Sequence, residues 1–115
     1  MRPEENNIWN YVKDQELEKT GEGVERRICA YAKELMLVEN HFKKGAVGAL
    51  HHHPHTQATY VVSGSFEFEV DGIKNIVKAG DVLLKRNDIP HGCVCLEEGI
   101  LLDIFTPMRE DFIKD

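Results

Sequence analysis

The sequence predicts an all-β protein: one small antiparallel β-barrel or jelly roll carrying an N-terminal arm. Three observations predict it. From Val24 onward, short runs rich in Val, Ile, Leu, Tyr and Phe recur at close spacing between glycine-bearing turns. Phe66-Glu67-Phe68-Glu69-Val70 alternates cleanly between apolar and polar and leads straight into Asp71-Gly72, a two-residue hairpin turn. No long stretch carries the three-to-four-residue apolar spacing of an amphipathic helix. The 115 residues suit one domain and one core.

Taken in order, residues 1–23 read as an arm that packs on the barrel, polar with scattered apolar anchors at Ile8, Trp9, Tyr11, Val12 and Leu17. Gly21 and Gly23 mark the turn into the barrel domain, residues 24–115. Strands are expected over 24–32 and 34–42, then a turn at Lys43-Lys44-Gly45. Thr59–Val62 forms a compact strand closed by Ser63-Gly64, and the Phe66–Val70 hairpin returns through Ile73–Lys78. After the turn at Ala79-Gly80-Asp81, Val82–Lys85, Cys93–Leu96 and Ile100–Phe105 supply the remaining strands. Pro107 has no amide to donate and ends the ladder. The tail from Met108 to Asp115 has room for a helical turn.

Composition excludes several classes. The net charge is −6, from 14 basic and 20 acidic residues, with no dense basic patch, so neither nucleic acid nor an anionic membrane is an expected partner. At 42% hydrophobic residues the chain is not disordered by composition, and no apolar run approaches a membrane span. The start, Met1-Arg2-Pro3-Glu4-Glu5-Asn6, lacks the apolar stretch of a secretory signal, which predicts a soluble, cytoplasmic protein. Three cysteines, Cys29, Cys93 and Cys95, are odd in number and read as reduced thiols.

The chemistry concentrates in histidine. Four of the six histidines fall in His51-His52-His53-Pro54-His55, with Gln57 two residues on and His91 held between Pro90 and Gly92. Strand residues two apart share a face, so His51 and His53 can aim two imidazoles at one point. Pro54 then breaks the strand, Gln57 can offer its amide oxygen, and His91 arrives from a second hairpin. Three nitrogens and one oxygen suit a divalent transition metal, and Zn, Fe, Ni, Mn and Co are all compatible. His55 shares the parity of His51 and His53 and competes with Gln57 as the fourth ligand. His52 points the other way, and His41 reads as a barrel-edge residue without a role. A neutral glutamine leaves the cation's charge largely unneutralised, which favours an anionic, oxygen-rich ligand and Lewis-acid chemistry. The bland alternative for the run is a solvated loop.

These residues resemble the two cupin motifs. The first is met by Gly48, His51, His53, Gln57 and Gly64, with a shortened glycine-to-histidine spacing; the second by Gly80, Pro90 and His91, without its internal glycine and final asparagine. A narrower resemblance runs from Gly21 onward to the pectin-degradation cupins of the KdgF type. It rests on Glu39-Asn40-His41-Phe42-Lys43-Lys44-Gly45-Ala46, the histidine run through Gln57, Pro90-His91-Gly92, and Leu102-Asp103-Ile104-Phe105-Thr106-Pro107 with Arg109-Glu110-Asp111-Phe112. The resemblance implies a metal set of His51, His53, Gln57 and His91, and catalytic roles for Asp103, Phe105 and Arg109. It implies a small anionic sugar substrate, a cyclic 4,5-unsaturated uronate from pectin or alginate, opened to a linear keto-deoxyuronate. It also implies a homodimer, for which the outer row Ile100, Leu102 and Ile104 offers surface to cover.

Each implied role has a plainer counterpart. Asp103 shares a strand face with Leu101 and Phe105, and a carboxylate there needs a partner, whether a lysine or arginine or the site itself. Arg109 suits a bidentate carboxylate clamp or a solvated tail. Phe105 suits a cavity wall or plain core. Cys93 and Cys95 share the parity of His91 and read as small core residues. Competing functions on the same barrel are another metalloenzyme, such as a dioxygenase or isomerase, and a non-catalytic sugar-binding cupin.

Overall fold

A computed structural model of the chain describes residues 2–113. Its strands are β1 (Glu18–Gly21), β2 (Val24–Ala32), β3 (Leu35–Phe42), β4 (Val47–His51), β5 (Thr56–Val70), β6 (Ile73–Lys78), β7 (Val82–Lys85) and β8 (His91–Thr106). A 3-10 turn at Val12–Asp14 precedes them and a short helix, α1 (Glu110–Ile113), follows. All pairings are antiparallel.

Two long strands organise the barrel. β5 and β8 pair from Thr56↔Thr106 to Val70↔His91. The free edge of β5 takes β7 and then β6; the free edge of β8 takes β3 and then β4. β2 and β1 extend the sheet beyond β3. Each long strand therefore serves two neighbours in succession, which needs a bend partway along. Register shifts between Val61 and Phe66 provide it. Gly64 has φ +80°, and a Cβ there would lie 2.5 Å from the Glu97 carbonyl oxygen; one at Gly99 would run into the Ser63 carbonyl. Only glycine lets the two backbones cross this closely.

That bend corrects the expected strand list. Ser63-Gly64 does not close a strand: Thr59–Val62 and Phe66–Val70 lie in one bent strand, as do Cys93–Leu96 and Ile100–Phe105. The glycines that resemble terminators act as hinges within a continuous ladder. Asp71-Gly72 is the tight hairpin turn expected, with φ of 52° and 81°. The tail forms α1, while Lys114 and Asp115 lie outside the described residues.

In the N-terminal segment, Glu18–Gly21 joins the sheet along β2, and the Asn6 amide donates to the Tyr31 carbonyl. Ile8, Trp9 and Tyr11, read as anchors, remain exposed; Pro3 is buried, and Val12 and Leu17 are half-buried. The reason is local: the segment is tied down by backbone bonds, which do not require those side chains to reach the core.

Inward-facing residues form two apolar clusters. One gathers Val24, Phe42, Ala46, Val61, Phe66, Phe68, Cys93, Cys95 and Leu101, with Phe42 and Phe66 edge to face at 5.4 Å. The other gathers Ile28, Met36, Val38 and Phe105 beneath Met108, Phe112 and Ile113. Along β8, Asp103 falls between Leu101 of the first cluster and Phe105 of the second. Cross-strand register sets Lys85, Gln57, Phe105 and Met36 in one inward row, and Thr59, Asp103 and Val38 in the next. The polar groups thus sit in the barrel between two greasy ends.

Candidate metal centre

β4 ends at His51, whose Cα pairs with that of His91 at the start of β8. His53 lies beyond the end of β4, in the loop before β5, so strand parity is not what joins it to His51. Pro54 lacks an amide and restricts the residue before it, which ends the ladder early. The loop nonetheless carries His53 inward. One ring nitrogen from each of His51, His53 and His91 lies within 4.8 Å of the others. Ring centroids are 4.4 Å apart for His51 and His91, and 5.1 Å for His53 and His91.

Hydrogen bonds set the tautomers. His51 Nδ1 donates to the Ala49 carbonyl at 2.7 Å, and His91 Nδ1 donates to the Ile89 carbonyl at 2.9 Å. A carbonyl can only accept, so each neutral ring keeps its lone pair on Nε2. His53 Nε2 stands 2.9 Å from Gln57 Oε1, while its buried Nδ1 has no partner. Gln57 is oriented from behind: its Nε2 donates to Asp103 Oδ1 at 2.8 Å and to Thr59 Oγ1 at 3.2 Å, which turns Oε1 towards the imidazoles. Adjacent ligands on a cation with bonds of about 2.1 Å would stand about 3 Å apart, which the His53–Gln57 separation matches. Three imidazoles and one amide oxygen thus form a donor set that fits a divalent transition metal.

Electrostatics point the same way. Burial, and then the charge of Lys85, hold His91 down to about 4; burial also lowers His53. Both stay neutral near pH 7, the form that binds metal.

Behind the ligands runs a polar network. The Asp103 carboxylate accepts from Asn40 Nδ2 at 2.6 Å, Gln57 Nε2 at 2.8 Å and Thr59 Oγ1 at 2.5 Å. Lys85 Nζ donates to Thr59 Oγ1 at 2.8 Å and lies 5.1 Å from the Phe68 ring centre. Burial lowers the Lys85 ammonium against the opposing charge of Asp103. Arg109 grips Asp111 through two bonds of 3.0 and 2.8 Å and stacks on Phe112 at 4.3 Å, with Phe105 at 5.2 Å. A cavity of about 170 Å³ is lined by His51, Gln57, Lys85, His91, Asp103, Phe105 and Arg109, among others.

The remaining histidines stand apart. His55 Nε2 donates to the Met108 carbonyl at 3.1 Å and so faces the tail; His52 is exposed beside Asp88. His41 bonds Glu39 at 2.8 Å. Sequence reasoning gave no role to Lys85, Thr59 or Asn40. For Lys85 the signal was slight: it ends an otherwise apolar strand, where lysine ordinarily reaches solvent.

Three imidazoles turned into a small antiparallel barrel define a cupin, and residues 38–105, more than half of the chain, match the cupin domain family. Over 98 residues the chain is 45% identical to the pectin degradation protein KdgF of Dickeya dadantii (strain 3937), covering 84% of this chain and 89% of that protein. The chain belongs to the cupin superfamily and, within it, to the KdgF family. Among solved structures it resembles KdgF from Halomonas sp. (TM-score 0.89, 34% identity, 92% of this chain and 98% of that one). It also resembles an RmlC-like cupin from Shewanella frigidimarina NCIMB 400 (TM-score 0.89, 40% identity, 92% and 96%).

Proposed function

We propose that this protein is a metal-dependent cupin enzyme that opens cyclic 4,5-unsaturated uronates, released in pectin or alginate breakdown, to linear keto-deoxyuronates. The observation that carries the reading is one cavity bordered by two imidazoles of the three-histidine cluster, the Gln57 carboxamide, the Asp103 carboxylate and the Arg109 guanidinium. The KdgF relatives supply the substrate class.

His51, His53, Gln57 and His91 would hold the cation. When bound, it supplies Lewis-acid charge for the substrate's anionic oxygens. Asp103 accepts the proton of the anomeric hydroxyl as the bond from the anomeric carbon to the ring oxygen breaks. The electron pair of that bond goes to the ring oxygen, leaving an aldehyde and an enolate. A proton then returns to the alkene carbon and yields the ketone, so the product is an isomer of the substrate and no oxidant is consumed. Asn40 and Thr59 fix the Asp103 carboxylate by their hydrogen bonds. Phe105 and Phe112 form the apolar wall, with ring centres 5.8 Å apart, and Arg109 clamps the sugar from their edge.

The protein acts in the cytoplasm as a homodimer, with residues 1–23 as an arm on the cupin domain of residues 24–115. Dimerisation is supported by one outer strip: exposed Tyr60, Val62, Val82 and Leu84, joined by register to half-buried Leu102 and Ile104.

The test follows the enol-ether absorbance of unsaturated galacturonate, with and without chelator. Asp103→Asn and Arg109→Ala should retain the metal and lose turnover. Wild-type rates in both variants would remove those assignments; no consumption by the metal-loaded wild type would remove the function.

A further inference from the structure

Lys85 is 2% exposed. Lysines are almost never buried this deeply without a partner anion. Among the described residues, Nζ makes one hydrogen bond, to the neutral Thr59 hydroxyl, and no ion pair within 4.0 Å. An ammonium carries three donors, so two have no acceptor among the described residues. A structural salt bridge does not explain it. Asp103 stands on the far side of the Thr59 hydroxyl, and its two oxygens already take three bonds from neutral groups. The Phe68 ring face gives the cation partial compensation only.

Position supplies the rest. Lys85 is the cross-strand neighbour of Gln57 and lines the same cavity as His91 and Asp103. The other cation bordering that cavity, Arg109, has its guanidinium fork occupied by the Asp111 carboxylate. Resting on the uronate reading above, we infer that Lys85 is a specificity-determining residue whose unused N–H donors bind the substrate carboxylate inside the cavity, selecting acidic over neutral sugars. The incoming carboxylate supplies the direct ion pair that Asp103, acting across the Thr59 hydroxyl, does not. Arg109 then acts from the aromatic edge and not as the primary carboxylate receptor.

The test compares wild type with Lys85→Met, a side chain of similar length and no charge. Three readouts are taken on metal-loaded protein: KM and kcat for unsaturated galacturonate, calorimetric binding of saturated galacturonate against galactose, and metal content with melting temperature. A carboxylate held alike in ground and transition states is read in KM, so KM should rise about 10- to 100-fold with little change in kcat. Galacturonate should lose its advantage over galactose. Metal content should hold, and the melting temperature should stay level or rise, because an under-compensated buried charge is gone. An unchanged KM and unchanged sugar selectivity would overturn the inference, as would unfolding or metal loss in Lys85→Met, which would make the residue structural. A wild type that turns over no unsaturated uronate, yet binds galacturonate in a Lys85-dependent way, would remove the reaction and keep this site; a wild type that neither turns over nor binds uronates would remove both.

Discussion

Replacing Thr59 with valine tests the polar network where it is most exposed to error. Thr59 is fully buried, and its hydroxyl joins Lys85, Gln57 and Asp103. Valine keeps the shape and removes the oxygen, so no cavity opens and the loss is electrostatic. Lys85 loses its one hydrogen-bond acceptor, which costs about 2–3 kcal/mol for a bond to a charged group. Asp103 loses one donor of three and keeps Asn40 and Gln57, so its loss is smaller, about 1 kcal/mol. The expected destabilisation is about 3–4 kcal/mol, or about 12–16 °C in melting temperature for a domain of this size. Thr59→Ser, which keeps the hydroxyl and drops a methyl, should cost about 1 kcal/mol. Urea denaturation with chelator present, so that metal binding does not mask the change, gives both values. If Thr59→Val falls within about 1 kcal/mol of wild type, the hydroxyl is not the junction described, and the placement of Lys85 loses its support.

Three further outcomes are expected. Gly99→Ala drives a methyl into the Ser63 carbonyl and should cost more than about 3 kcal/mol in thermal unfolding, whereas Gly45→Ala, at positive φ but with open space around it, should cost about 1 kcal/mol. Burial, aided by the Glu39 charge, pushes the Cys29 thiol up to about 11; its folded value is raised, so its contribution is complete below the unfolded thiol range and is lost as pH climbs from about 9 through about 11. Cys29→Ala should therefore show a flatter alkaline stability curve than wild type, and parallel curves would refute the shift. Leu84→Glu places a charge in the outer apolar strip and tests the proposed homodimer: light scattering should give a dimer mass for wild type and a monomer mass for the variant, and equal masses would refute an interface on this strip.

The sequence disclosed much of the strand content and the histidine cluster because both depend on local signals. Alternation in Phe66–Val70 and the Asp71-Gly72 pair are self-contained, and the imidazoles crowd into one short run. What was hidden depends on register between distant strands. Gly64 and Gly99 look like strand ends until one sees them facing each other's backbone. Lys85 follows Val82, Leu83 and Leu84, all apolar, so alternation cannot say which face is inward; only its pairing with Gln57 decides that. Parity made His55 the main rival to Gln57; in the structure His55 Nε2 meets the Met108 carbonyl, while Asp103 turns Gln57 towards the imidazoles.

Gln57 and Thr59 belong to β5, while His91, Asp103 and Phe105 belong to β8. Sliding one of these strands past the other by a single position would turn its whole set of polar side chains out into solvent. A misaligned ribbon would bury much the same apolar surface and yet present no ligand set to a cation. Uptake of an ion at this site would thus act as an inspection of assembly: chains that retain it would be those in which the two longest strands have found their proper alignment.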